Sequence, residues 1–78
     1  MEDITTLDRL PVGGRAQVVQ LTAPEAQRRR LQEFGFVPGG EVKAVQESPW
    51  GDPVAYAVCG AVIALRRVDA RQIAVQRK

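Results

Sequence analysis

Histidine is absent from the 78 residues, and cysteine occurs once, as Cys59. A zinc site made of the usual Cys and His ligands therefore cannot be built within one chain. The same absence removes every catalytic triad or dyad that uses histidine as its base. A single cysteine excludes an intramolecular disulfide framework and fits a reducing compartment. Aromatics are scarce: Phe34, Phe36, Trp50 and Tyr56. No apolar run approaches the roughly 18–20 residues that span a bilayer. The opening segment, Met-Glu-Asp-Ile-Thr-Thr-Leu-Asp-Arg-Leu, is acidic and has no apolar stretch, so it is not expected to act as a signal peptide. Charge is nearly balanced, with 11 Lys and Arg against 9 Asp and Glu. That balance alone is a weak pointer to a nucleic-acid partner.

What is present is small and β-branched. The chain holds 11 Val, 10 Ala, 5 Leu and 3 Ile, with 7 Gly and 5 Pro. This mixture favours short strands joined by tight turns. With 45% hydrophobic residues and a net charge of +2, the chain is expected to fold. Its length suits one domain over residues 1–78, with 1–6 and 76–78 expected to fray.

Along the chain, Thr6 can cap a short turn through Leu7 and Leu10, which Pro11-Val12-Gly13-Gly14 breaks. Arg15 to Leu21 reads as a strand, with Val19 and Leu21 on one face and Ala16 and Val18 on the other. Thr22, Pro24 and Glu25 carry an N-terminal capping signal for a helix ending at Phe34. Gly35 is expected to close it in the left-handed conformation, with Phe36 packing back on the last turn. Val37-Pro38-Gly39-Gly40 has the type II turn signature. A second strand follows from Glu41 to Glu47, with Val42 and Ala44 on one side and Val45 on the other. Ser48-Pro49-Trp50-Gly51-Asp52-Pro53 is a loop of turn residues. Val54–Val58 and Ala61–Leu65 form a hairpin about Cys59-Gly60. Asp69 can cap one helical turn before a last strand, Ile73–Val75. The fold class is therefore mainly β: a small, partly open five-stranded barrel of SH3-like type. One α-helix lies between its first two strands and a short helical turn precedes the last, since so small a sheet must nearly close to cover its edges.

These residues also carry a resemblance. Arg-Arg-Leu-Gln-Glu-Phe-Gly-Phe-Val-Pro-Gly at 29–39, Pro-Trp-Gly-Asp-Pro at 49–53 and Leu-Arg-Arg-Val-Asp-Ala-Arg-Gln-Ile at 65–73 stand in order over most of the chain. In this they resemble the bacterial ferrous iron transport protein A family (FeoA). The resemblance implies a cytosolic SH3-like domain without enzymatic activity, needing no cofactor. It also implies a partner: the membrane ferrous iron transporter FeoB, probed through its cytosolic GTPase portion. The expected location is cytoplasmic, with peripheral contact at the inner face of the plasma membrane as an extension of that reading. Asp69 stands where the family often has Glu, and Cys59 where a polar residue is common. Two further readings stand beside it: a small basic nucleic-acid-binding barrel, and a stand-alone relative of the SH3-like domain of metal-dependent repressors. Nucleic acid is not the expected partner, and two copies could pair through open barrel edges.

The candidate partner-binding residues are Arg28, Arg29, Trp50 and Pro53. Arg28-Arg29-Arg30 is the strongest charge cluster, read either as a solvated helix face or as a patch for an acidic partner surface or the anionic inner leaflet. Arg66, Arg67 and Arg71 could extend it. Trp50 either tucks over the barrel end or stands out as an interface anchor. Tyr56 and Phe36 could join it at the open end. Gly35, Pro38, Gly39, Gly51, Asp52 and Gly60 are read as structural turn residues. Glu41, Glu47, Asp52 and Asp69 could each offer an oxygen to a cation, but no pair has a recognised ligand spacing, so no metal site is expected.

Overall fold

The computed structural model describes residues 3–78. Six strands build one antiparallel sheet: β1 (Ile4–Thr6), β2 (Arg15–Leu21), β3 (Glu41–Glu47), β4 (Val54–Val58), β5 (Ala61–Leu65) and β6 (Ile73–Arg77). Their spatial order is β1-β6-β2-β3-β4-β5. Helix α1 (Glu25–Phe34) connects β2 to β3, and the single turn α2 (Arg67–Ala70) precedes β6. A 3-10 turn over Leu7–Arg9 follows β1.

The sixth strand corrects the expected five. Ile4–Thr6, expected to fray, pairs with Ala74–Gln76 of β6. Gln76 and Arg77 likewise belong to β6, and the Lys78 N–H donates to the Arg15 carbonyl at 3.1 Å. Met1 and Glu2 lie outside the described residues. A three-residue strand held only by a partner some seventy positions away has no local signal.

The second correction concerns β2. Its register with β6 shifts between Val18 and Gln20. This bulge puts an extra residue, Val19, into the strand, and the alternation changes face across it. Leu21 therefore joins Ala16 and Val18 in the core, and Val19 faces outward. A similar shift lies at Val45 in β3, after Val42 and Ala44 have pointed inward as expected. In β4, Val54, Tyr56 and Val58 fill the core and the intervening alanines are half-buried.

The core is entirely apolar apart from one phenol. Among the described residues no charged side chain is buried, and the largest enclosed ones are Tyr56 and Phe36. The Tyr56 hydroxyl donates to the Leu7 carbonyl at 3.3 Å, which satisfies the one polar atom its ring brings inside. Helix α1 contributes only Leu31 to this core. Its end is built as expected. Gly35 sits at φ +113°, its N–H bonds the Gln32 carbonyl, and the Phe36 N–H reaches back to Leu31 at 3.0 Å. Its start is not. Pro24 occupies the cap position without a side-chain bond, while the Thr22 hydroxyl and N–H both donate to the Gln72 carbonyl. Thr22 ties the end of β2 to the entry of β6 instead of capping the helix.

Candidate functional site

Loop 48–53 joins β3 to β4, and it is fixed from outside by one residue. The Arg67 guanidinium donates through Nε to the Gly51 carbonyl at 2.6 Å, through Nη1 to the Asp8 carbonyl at 2.7 Å, and through Nη2 to Glu47 Oε2 at 3.2 Å. Its backbone N–H donates to Asp52 Oδ1 at 2.9 Å. A planar fork of donors suits this arrangement, in which three acceptors from separate segments converge on one side chain. The loop is closed internally as well. The Ser48 N–H bonds the Pro53 carbonyl at 3.1 Å and the Gly51 N–H bonds the Ser48 carbonyl at 2.8 Å.

At the tip of this ordered loop Trp50 is 90% exposed. Of the two readings open from the sequence, the exposed one is the structure's. Pro53 is exposed on the same loop. Tyr56 and Phe36 do not join them: both are fully enclosed in the core. Arg67 does not extend a free basic patch, because its donors are occupied by the loop and the 3-10 turn.

The arginine cluster stands on another element. Arg28, Arg29 and Arg30 are all exposed on α1. Arg29 pairs with Glu25 one turn back at 3.4 Å, with both side chains more than two-thirds exposed. Such a pair contributes only a few tenths of a kcal/mol. No bond joins these arginines to loop 48–53 among the described residues. The two elements are linked indirectly through α2. The Gln27 amide donates to Asp69 Oδ1 at 2.7 Å, and α2 begins at Arg67. Asp69 therefore receives α1 and does not cap α2, as the sequence had suggested; that cap comes from Asp52 across the chain.

Gly39 has φ +88° in the Val37–Gly40 turn, which the Gly40 N–H closes onto the Val37 carbonyl at 2.9 Å. Gly51 and Gly60 also have positive φ, and Cys59 shares that conformation at +50° to make the two-residue hairpin turn. Cys59 is exposed, with Sγ 3.6 Å from the Gly35 carbonyl. Among the described residues no three His, Cys, Asp or Glu side chains gather as metal ligands. No helix of the described residues is long and apolar enough to cross a membrane.

A family model described as the FeoA domain matches residues 5–77. This chain belongs to the FeoA family. A curated relative, a protein of Porphyromonas gingivalis that fuses Fe(2+) transport protein A to the Fe(2+) transporter FeoB, is 37% identical over 70 residues. The match covers 90% of this chain and 8% of that protein, so the chain corresponds to a small part of the fusion. The FeoA of Chlorobium tepidum is 36% identical at a TM-score of 0.88, over 94% of this chain and 70% of the other. The FeoA of Stenotrophomonas maltophilia, solved with zinc and described as an SH3 domain protein, is 37% identical at a TM-score of 0.80, over 91% and 88% of the two chains. The fold is thus the SH3-like one of FeoA, and the link to ferrous iron transport comes with the family. A manganese-dependent transcriptional repressor shares the fold alone, at 15% identity and a TM-score of 0.86, over 100% of this chain and 44% of that one.

Proposed function

We propose that this FeoA domain is a non-enzymatic accessory protein of ferrous iron uptake, docking on the cytosolic part of a FeoB-like transporter and modulating it. The observation that carries the reading is Trp50, a 90% exposed indole on a loop whose backbone is pinned by Arg67. A tryptophan exposed on a backbone already fixed suits an interface anchor, because the loop loses little conformational entropy when a partner covers it. Pro53 lies beside it on the loop. Arg28 and Arg29 add positive charge on α1, suited to an acidic surface of the partner. Fusion of the two proteins into one polypeptide in Porphyromonas gingivalis supports the pairing. Catalysis has no place in this reading; the Cys59 thiol donates to the Gly35 carbonyl at 3.6 Å.

The test is a pull-down of the purified chain against the cytosolic GTPase portion of the same organism's transporter, at low and high salt. Trp50→Ala is expected to lower affinity about tenfold or more, as an exposed aromatic anchor carries about 2 kcal/mol. Charge reversal, Arg29→Glu, is expected to weaken mainly the low-salt binding. If both variants bind and support iron uptake as the parent does, while remaining folded, the assignment of the surface is wrong. Retention of DNA or RNA, lost steeply with salt, would favour the nucleic-acid reading instead.

A further inference from the structure

The outer face of the sheet sets two cations side by side. Arg15 of β2 stands directly opposite Lys43 of β3, and the next residue in that row, on β4, is Ala57. One step away the Ala44 N–H bonds the Gly14 carbonyl at 3.0 Å, so the alternation of the ladder makes Arg15 and Lys43 a non-hydrogen-bonded pair. Side chains come closest at such pairs, with Cβ atoms about 4.5–5.5 Å apart, and like charges held there oppose folding. Both side chains are exposed. Among the described residues neither makes an ion pair.

The pair lines a cleft of about 490 Å³, completed by Glu41 on β3, Ala57 on β4 and the Cys59-Gly60 turn. Ala57 offers only a methyl group beside Lys43, and a Cβ built at Gly60 would meet nothing within 4 Å, so this side of the cleft is open. The N–H groups of Cys59 and Gly60 have no backbone partner among the described residues. The one carboxylate lining the cleft, Glu41, is already held by the Lys78 ammonium at 2.7 Å. Lys78 thereby brings a third cationic side chain to the rim against that single carboxylate.

We propose that this cleft binds a phosphate monoester group. Charge and valence select it among anions. A carboxylate carries one charge on two oxygens, which the fork of a single guanidinium satisfies. It would leave Lys43 and Arg15 still opposed. A phosphate monoester carries about −1.5 to −2 at pH 7 and presents three acceptor oxygens. Two of them suit the Arg15 fork and the third the Lys43 ammonium, so one ligand neutralises both cations and relieves the repulsion across the strands. No aromatic side chain lines the cleft among the described residues, so a nucleoside base gains no stacking there and the recognition is of the phosphate itself. The bearer is a soluble phosphate compound or a monoester lipid headgroup. The site is independent of the transporter reading, which places its contact on loop 48–53 and α1.

Amide NMR of the full chain tests it, with inorganic phosphate added at pH about 7.5 and the ionic strength held constant with chloride. Saturable shifts centred on Arg15, Lys43 and the Cys59-Gly60 turn are expected, with a Kd of about 1–10 mM. Arg15→Gln and Lys43→Gln should each raise that Kd about tenfold. Each also removes half of a like-charge pair, so each should melt at or slightly above the Tm of the parent, which separates lost binding from lost folding. Arg9→Gln deletes an exposed arginine elsewhere and should bind phosphate as the parent does. Acetate should bind about tenfold more weakly than phosphate. Pelleting with phosphatidylcholine vesicles that contain phosphatidic acid, abolished in Lys43→Gln, assigns the group to a headgroup. Saturable phosphate binding without pelleting assigns it to a soluble compound. Shifts that fail to saturate overturn the proposal, as does acetate binding as tightly as phosphate. So does either cleft variant binding as the parent does, or Arg9→Gln weakening binding as much as they do.

Discussion

Replacing Arg67 by alanine is the most informative single change in this molecule. The side chain donates to the carbonyls of Gly51 and Asp8 at 2.6 and 2.7 Å and to the Glu47 carboxylate at 3.2 Å. The two carbonyl bonds come from a charged donor in a partly buried position, and such bonds contribute about 1–1.5 kcal/mol each after allowance for exposure. The Glu47 pair is 40% and 48% exposed at its two side chains, so screening leaves it with about 0.5 kcal/mol or less. The sum is a loss of about 2–3 kcal/mol, which for a domain of this size lowers Tm by about 10–20 °C. Lysine at the same position keeps the charge but not the fork, so Arg67→Lys should recover less than half of the loss. Arg66→Ala removes an exposed neighbour of the same charge and should stay within about 0.5 kcal/mol of the parent.

Stability alone does not separate a local clamp from general destabilisation, so the second readout is Trp50 itself. With the Gly51 and Asp8 anchors gone, the loop carrying it should move faster than the barrel. The steady-state anisotropy of the tryptophan should fall in Arg67→Ala at temperatures where circular dichroism still shows the folded state. If Arg67→Ala melts within about 0.5 kcal/mol of Arg66→Ala, or leaves the anisotropy unchanged, the clamp is not what orders the loop.

Further perturbations follow from single contacts. At Gly35, φ is +113° and an added Cβ would lie 2.9 Å from Cys59 Sγ, so Gly35→Ala should cost about 1–2 kcal/mol from the backbone plus the clash, and a double-mutant cycle with Cys59→Gly in urea melts should recover only the clash. Leu31→Ala removes the one α1 side chain in the core and should cost about 2–4 kcal/mol, with amide exchange rising first across Glu25–Phe34. Burial pushes the Tyr56 phenol up to about 12, partly opposed by Arg67, so stability is full below pH 10 and is lost as pH rises through that interval; phenolate absorbance should appear together with unfolding. The Glu41 carboxyl is held below its ordinary value by the hydrogen bond from Lys78, so the stability it contributes is present above that value and fades as pH falls through the lowered one; Lys78→Met should return its NMR titration to the normal range.

How much of this could be read beforehand depended on the range of the interaction. The end of α1 was legible because Gly35 and Phe36 bond within one turn, and β4 because Val54, Tyr56 and Val58 alternate without interruption. The Val37–Gly40 turn was legible for the same reason. The face of β2 was not, because a bulge leaves no mark in composition and moves Leu21 to the opposite side. Thr22 and Asp69 each carry the right side chain for a local cap, and each is taken by a partner 50 or 42 positions distant. In the candidate site, Trp50 was legible as a choice between two placements, and the decision came from Arg67, which is 16 residues from the Gly51 carbonyl it binds. One signal could have separated Arg67 from Arg66. It opens a helical turn one residue after a strand ends, where a side chain can reach back over the neighbouring loop.

The exposure of Trp50 is itself evidence that the loop resists a cheaper arrangement. Covering a large aromatic side chain is worth about 2–3 kcal/mol, and a loop free to move would fold it against the nearest apolar surface. Tyr56 and Phe36, the largest enclosed side chains, already occupy the core. Arg67 and the internal bonds of loop 48–53 then fix the backbone on either side of the indole, at Gly51 and Ser48. The same guanidinium holds the 3-10 turn and, through α2 and the Gln27–Asp69 bond, is connected to the helix that carries Arg28 and Arg29. Two surfaces that no hydrogen bond or ion pair joins among the described residues are therefore both tied to one short helix. A shift of α2 would move both at once, and a change at Trp50 alone should move neither.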